Sequence, residues 1–404
     1  MEKEKIIGIT AEYNPFHKGH LYQIETLRRR FPEAVIVAAL SGSFLQRGVP
    51  ALLDAWTRAE MAVRCGVDLV VELPPPFCCH NAGVFANASV SLLKACGACS
   101  LSFGMENGEE LLRSISHILV QEAPPFKAFL QEFLKKGFSY AQARAEACEK
   151  LLPGSKELLE KPNNTLAIAY AESALKQDAD LELLPVKRIG AGYRDETTAN
   201  ELSSAAGIRA ALSCGDRETA LSVMPEASAA VLKSQLDRGR ALLVDTTLWH
   251  AARTTLLRET PASLNDYAGV SEGIEHRLLE AVFASASLDE FVARVSTKRY
   301  PRSRVRRLLI WILLNLKKED DAEVQRRGPA YIRPLAMTPR GRELLKTVRA
   351  SGVLPVVNKP AGLGNDEYAR RTFQLTLRAA SLRESLLPRP DWKHELAAAP
   401  FLMD

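Results

Sequence analysis

Residues 6–20 read Ile-Ile-Gly-Ile-Thr-Ala-Glu-Tyr-Asn-Pro-Phe-His-Lys-Gly-His, and the order of residue types in this stretch decides the fold. Ile6–Ala11 is a short apolar run that predicts a strand. Asn14-Pro15 marks a loop, and from Gly19 to Arg30 the apolar residues Leu21, Ile24 and Leu27 recur at helical spacing. The same alternation continues downstream. Residues 34–40 are almost wholly apolar, Ser41-Gly42-Ser43 form a loop, 54–65 read as a helix, and a third apolar run over 67–73 is stopped by Pro74-Pro75-Pro76. Strands without a polar face, alternating with helices, indicate a parallel sheet covered on both sides, so the fold class is α/β. Residues 100–103 and 181–185 are expected to add further strands, with helices between them.

The junction of the first strand and first helix is also where chemistry is expected. In an open parallel sheet, ligands bind at the carboxyl ends of the strands, and the unpaired N–H groups of a helix start favour phosphate. His17 and His20 stand three residues apart there and can donate hydrogen bonds to phosphate oxygens as a phosphoanhydride opens. Gly19, between them, is expected to let a ligand approach the backbone. The plainer alternative is that both histidines only satisfy loop carbonyls.

Composition sets outer limits. The chain has 404 residues, 47% hydrophobic and 25% charged, which leaves no case for a disordered or fibrous protein. Its formal charge of +5 is unevenly spread: residues 1–214 hold 23 basic and 25 acidic side chains, whereas residues 215–404 hold 30 and 23. A polyanionic partner would therefore lean on the second half. From about residue 203 onward the pattern becomes mainly helical, which predicts a second domain over 215–404 after a first over 1–214; residues 353–359 are its one expected strand.

The N-terminal apolar stretch is too short for a signal peptide. The longest greasy run, 308–316, is about half of the ~20 residues a bilayer span needs. A cytoplasmic protein without a membrane anchor is expected. Seven cysteines without framework spacing suit reduced thiols. Cys96 and Cys99 form a CxxC, but with only His80 and the Cys78-Cys79 pair nearby, packing is favoured over a zinc site.

His17-Lys18-Gly19-His20 resembles the HxGH signature of the nucleotidylyltransferase superfamily, and Leu202-Ser203-Ser204-Ala205-Ala206-Gly207-Ile208-Arg209 is similar to its second signature, ISSTxIR. Ser204, Ile208 and Arg209 match, while Ala206 stands where threonine is usual. The lost hydroxyl removes one possible phosphate hydrogen bond, worth on the order of 1 kcal/mol. Read together, AEYNPFHKGH, SGSFLQRGVPALLDAWTRAEMAVRCGVDLVVELP, SFGME, KPNNTLAIAY, KRIGAGYRD, VSEGIEHRL, TKRYPRSRVRRLLIWILL and YIRPLAMTPRGRELLK resemble, in the same order, the tRNA(Met) cytidine acetate ligase family.

That resemblance implies a Rossmann-like nucleotidylyltransferase domain followed by a mainly helical tRNA-binding domain. It implies a reaction in which ATP and acetate give acetyl-adenylate, whose acetyl group passes to the wobble cytidine of elongator tRNA(Met) without acetyl-CoA. The ATP pocket would be lined by Thr10, Ala11, Glu12, Tyr13, Asn14, Pro15, Phe16, His17, Lys18, Gly19 and His20, with His17, Lys18 and His20 as the catalytic group. Gly104, Asn163, Arg188, Ile189, Ser204 and Arg209 would complete it. Several have simpler readings: a turn at Gly104, helix capping at Asn163 and Asn164, and an ion pair at Arg188. Adenylation needs positioning and charge stabilisation rather than a protein nucleophile, and magnesium bridging the ATP phosphates is expected on general grounds without a named protein ligand. Ser41, Phe44, Gln46 and Arg47 are expected near the acetate or cytidine.

On the RNA side, Arg294, Lys298, Arg299, Arg302, Arg304, Arg306 and Arg307 place seven cations in fourteen residues without a carboxylate. Lys298, Arg299, Arg302, Arg304, Arg306 and Arg307 are the expected tRNA contacts, with Tyr300 exposed to stack on a base and Arg326, Arg327, Arg340 and Arg342 extending the surface. A solvated helix face is the simpler reading. Two rival functions remain open at this point: an adenylyltransferase acting on a small metabolite, since HxGH domains serve many acceptors, and a tRNA-binding protein weakened catalytically by Ala206.

Overall fold

The structure, a computed structural model, describes residues 5–177, 181–188, 204–243 and 246–404, with Pro162 and Asn163 as backbone only. Its centre is a sheet in the order β5-β4-β1-β2-β3-β6-β7. The strands are β1 (Ile6–Ala11), β2 (Val35–Ser41), β3 (Leu69–Leu73), β4 (Ser100–Met105), β5 (Glu182–Lys187), β6 (Pro334–Met337) and β7 (Phe401–Leu402). The first five run parallel, with Thr10 opposite Ala39 and Ile9 opposite Ser102. This is the expected Rossmann-like α/β fold.

The greasy strands are greasy because both faces are covered. Val35, Val37 and Ala39 of β2 point into one core, while Ile36, Ala38 and Leu40 point into the other. Helices α1 (Lys18–Arg30) and α2 (Ala55–Arg64) cover the second face through Ile24, Leu27, Trp56 and Met61. Helix α3 (Pro75–Cys78) is the short turn made by the proline run, and α4 (Ala82–Ala95) packs on the first face. A third core holds the helices between Thr246–Leu256 and Arg302–Leu313.

Strand order creates the site. β1 leads to β2 and β3 on one side, and the chain then returns to place β4 on the other side of β1. The crevice at the carboxyl ends of β1 and β4 is therefore the topological switch point, where open α/β sheets bind ligands.

The expected division at residue 214 is crossed by the sheet itself. β6 pairs antiparallel with β3, and β7 pairs with β6, so the second half supplies one edge of the first half's sheet. These strands have four and two residues and one begins with proline, too short for periodicity to reveal them. Residues 353–359 give only an isolated bridge, Ile332 to Val356. The helix Glu367–Ser385 is likewise hidden from periodicity, because its buried face includes Thr372, Thr376, Arg383 and Glu384.

A buried ion cluster fastens this edge. Arg333, 1% exposed, meets Glu72 of β3 at 2.8 Å and Glu395 of the C-terminal segment at 2.6 Å, with its guanidinium over the Trp56 ring. Trp56 Nε1 donates to the other Glu395 oxygen at 3.0 Å. Removing the cation leaves two carboxylates buried together, so Arg333→Ala is expected to cost about 3–5 kcal/mol. Urea unfolding should show a lowered midpoint for this variant, and a midpoint equal to wild type would refute the assignment.

Candidate active site

The loop after β1 enters α1 through His17, the helix N-cap. Its Nδ1 accepts from Gly19 N at 3.0 Å, and His20 Nδ1 accepts from His17 N at 3.2 Å, a reciprocal capping box made of two imidazoles. The rings lie 3.7 Å apart at 31°. Gly19 serves a purpose other than the expected ligand approach: a Cβ there would stand 2.8 Å from His17 Cε1, so the missing side chain makes room for the ring.

Because each Nδ1 accepts, the proton of each neutral ring sits on Nε2, which leaves Nε2–H as the outward donor. Both rings are held neutral. Burial, and then the Arg188 charge, brings His17 down from 6.5 to about 4. Burial, His17 and Arg188 push His20 well below its ordinary value. Two neutral N–H donors backed by a fixed cation suit an anion whose charge shifts during reaction.

Arg188 arrives from the end of β5. Its N–H bonds to Met105 O at 2.9 Å, and a Cβ on Gly104 would press on its Cγ at 3.3 Å, so glycine opens the end of β4 to the arginine stem. Arg209 comes from the helix Ala205–Ser213 and donates to Asn14 O at 2.6 Å. Ser204 caps that helix by accepting from Gly207 N at 3.1 Å, and Ala206 lies exposed in its first turn. The two signatures, nearly two hundred residues apart, thus meet at the first loop.

The loop's shape depends on a residue outside both signatures. Arg58 of α2 is wholly buried and donates to the carbonyls of Leu53 at 3.0 Å, Glu12 at 2.6 Å, Ser41 at 2.8 Å and Gly42. Burial lowers its pKa to about 10, which leaves it cationic at neutral pH. An arginine among apolar neighbours in Ala-Trp-Thr-Arg-Ala is the sequence signal that could have marked it. Asn14 adds a second tie, its Oδ1 accepting from Leu52 N at 2.7 Å. Burial raises the Glu12 pKa, opposed by the Gln46 N–H and by Arg58, Arg47 and Arg209.

Known proteins can be set beside this geometry. Residues 4–396 match the family model for HIGH Nucleotidyl Transferase. The tRNA(Met) cytidine acetate ligase of Clostridium perfringens is 36% identical over 88% of this chain and 89% of its own, and that of a Geobacillus species is 33% identical over 98% and 100%. This chain belongs to the tRNA(Met) cytidine acetate ligase family. Crystal structures of Thermotoga maritima TmcAL, one apo and one bound with alpha-thio ATP, superpose with a TM-score of 0.91 each, at 31% and 30% identity, covering 98% of this chain and 99% of theirs.

In this family member, of the residues expected around ATP, Thr10 and Ala11 end β1, Glu12, Tyr13, Asn14, Pro15 and Phe16 form the loop after it, His17, Gly19 and His20 open α1, Gly104 lies on β4, Arg188 follows β5, and Ser204 and Arg209 cap and belong to the helix Ala205–Ser213. Tyr13 and Phe16 are buried rings packed on His20. Lys18 stands apart, its Nζ donating to Ser222 O at 3.0 Å. Ile189 and the Asn163 side chain lie outside the described residues. Neighbouring Asn164 is buried, accepting from Glu106 N at 3.0 Å and donating to Asn107 at 3.2 Å, so it ties the loop after β4 to the helix Pro162–Gln177.

Several expectations about the second loop and the basic run need correction. Phe44 is fully buried, its ring packed in the helical core. Tyr300 is 5% exposed and donates to Ser271 O at 2.6 Å, which removes it as a stacking platform. Arg307 is 8% exposed and donates to Gln46 O at 3.1 Å. Arg306 meets Asp289 at 2.7 Å with its side chain 16% exposed. Carboxylates absent from the run itself come from just outside it: Glu272 of the turn before the helix Ile274–Ala284 for Arg299, and Asp289 and Glu290 of the helix Leu288–Val295 for Arg302 and Arg294. Lys298 and Arg47 are exposed.

Cys96 lies in the core with its thiol pushed up to about 12 by burial, and His80 pairs with Asp321 at 3.1 Å. Among the described residues no group of three or more His, Cys, Asp or Glu converges as a metal site. No described helix is long and apolar enough to cross a membrane.

The depressed His17 pKa links stability to pH. The folded ring stays neutral to about pH 4 while the unfolded one takes a proton near 6.5, so its contribution is full above 6.5 and is lost as pH falls toward 4. Asparagine can cap the helix without titrating. His17→Asn is therefore expected to lose less melting temperature than wild type between pH 6.5 and 4. Parallel pH dependences in thermal melts would contradict the neutral imidazole.

Proposed function

We propose that this chain is an ATP-dependent ligase that activates acetate as acetyl-adenylate and transfers the acetyl group to the wobble cytidine of elongator tRNA(Met), forming N(4)-acetylcytidine. The observation that carries this reading is the paired neutral imidazoles at the switch point, backed by Arg188, in a chain that aligns end to end with ligases of that name.

In the first step an acetate oxygen attacks the α-phosphorus of ATP and pyrophosphate leaves. The Nε2–H groups of His17 and His20 donate to the phosphate oxygens as charge builds up, and Arg188 supplies fixed positive charge. Arg209 braces the loop through Asn14 O. Lys18, tied to the Ser222 carbonyl, acts at the pocket rim rather than at the phosphates. Magnesium enters as part of the MgATP substrate. In the second step the exocyclic amine attacks the acetyl carbon, AMP departs with the former carboxylate oxygen, and the amine gives up a proton.

The RNA would lie along the start of the helix Arg302–Leu313, against Lys298, Arg299, Arg302 and Arg304. Arg304 lies over the Tyr300 ring at 4.1 Å, which supports its side chain near the surface. The pairs of Arg299 and Arg302 are 3.4 Å and 3.3 Å long with well-exposed partners, so phosphate can displace them at small cost.

Incubation with MgATP, labelled acetate and bulk bacterial tRNA, followed by nucleoside analysis, tests the reading: ATP-dependent label in N(4)-acetylcytidine is expected, and an adenylylated small product instead would overturn it. His20→Ala is expected to reduce acetate-dependent ATP–pyrophosphate exchange by roughly 10²–10³-fold, the scale for losing one preorganised donor, while tRNA affinity stays unchanged. Lys298→Ala with Arg304→Ala should do the reverse, lowering affinity and flattening its salt dependence by about 0.7 per lost phosphate contact. Filter binding over a salt series measures both.

A further inference from the structure

The loop 41–50 joins the nucleotide crevice to the basic helix, and its construction is unusually close. Gly48 has φ +73, and a Cβ on it would fall on the backbone N of Arg307 and within 2.6 Å of the Arg306 carbonyl carbon. Backbone touches backbone there, with no space for a side chain. From the helix, buried Arg307 donates through Nη1 to Gln46 O at 3.1 Å. Gln46 N in turn donates to Glu12 Oε1 at 2.8 Å, and Glu12 O accepts from Arg58 Nη1 at 2.6 Å.

The loop between these ends is self-braced. Leu45 N bonds to Val49 O at 2.9 Å, Gly48 N to Leu45 O at 2.8 Å and Ala51 N to Ser43 O at 2.9 Å. Phe44 anchors it in the helical core. Any shift of the helix start must therefore carry the loop with it, and with the loop the Gln46 N–H on Glu12. Hydrogen bonds at Gln46 and Glu12 thus link the helix expected to meet RNA to the loop that leads into His17.

We propose that Arg307 is a positioning residue rather than an RNA contact: by holding Gln46 against Glu12 across the Gly48 seam, it sets the separation between the RNA-facing helix and the nucleotide crevice, so that the acceptor base reaches the acyl-adenylate. This inference rests on the ligase reading. Its distinguishing consequence is that either half can work while the transfer between them fails, because a misplacement of about 1 Å between reacting groups costs on the order of 100-fold in rate.

Arg307→Met keeps the apolar stem and removes the donor. It is expected to leave acetate-dependent pyrophosphate exchange and tRNA affinity within about threefold, and to lower single-turnover acetyl transfer by on the order of 100-fold. Arg307→Lys restores one donor and should recover transfer to within about tenfold of wild type, one hydrogen bond being worth about that factor. Gly48→Ala changes no charge and should show the same split, with thermal melting reporting whether it folds. A fall in tRNA affinity that matches the fall in transfer would make Arg307 an RNA contact and overturn the proposal. An equal fall in exchange would make it a support of the nucleotide site alone and would overturn the proposal as well. Wild-type protein that exchanges pyrophosphate but acetylates no tRNA would overturn the ligase reading itself, and the proposal with it.

Discussion

A single buried guanidinium organises the crevice. Arg58 gives its donors to carbonyls at the ends of β1 and β2 and at the start of α2, three segments that would otherwise have no reason to hold their carbonyls together. A cation taken out of water is costly unless its hydrogen bonds are met, and here backbone oxygens meet them. The same bonds fix the path of the chain through Glu12 into the imidazole capping box. The donors that face phosphate are thus aimed by a residue on another helix, and preorganisation of this kind is what makes such donors effective.

The two halves of the chain are interlocked rather than laid side by side. From the first half, Phe44 and Cys79 sit in the helical core, and Trp311 Nε1 donates to Cys79 O at 2.9 Å. From the second half, β6 and β7 extend the sheet, and Glu395 reaches Arg333 and Trp56. Close to the crevice, Arg383 donates to Ala51 O at 2.9 Å and Leu52 O at 2.7 Å, on the same segment that Asn14 holds through Leu52 N. These polar contacts are directional, which favours one relative placement of the halves over its neighbours. A two-substrate reaction gains from that, because nucleotide and acceptor must be presented to each other at bonding distance.

How much of this was legible in the sequence differs residue by residue. His17, Gly19 and His20 could be placed at a strand–helix junction because strand period, loop signal and helix period are all local properties. Ser204 and Arg209 were legible through their own short pattern, although not the role of Arg209 as a brace on Asn14. Lys18 shared the motif but not the geometry, since its long stem reaches Ser222 instead. Tyr300 and Arg307 were misplaced because a string of cations does not say which way each side chain faces. Helix rotation puts Arg307 toward the second loop while Arg304 stays near the surface.

The sequence by itself determined the α/β class, the position of the paired histidines and the basic character of the second half, since these rest on periodicity, residue chemistry and charge count over short windows. Tertiary structure alone decided which polar groups are partners. Arg58 meets a carbonyl 46 residues away, Arg307 one 261 residues away, and Arg333 a carboxylate at the same separation of 261. The physical reason is that a side chain's partner is set by what packs around it once distant segments have closed together. Burial, which turns a surface cation into a structural clamp, is a property of that packing and not of the residue's neighbours in the chain.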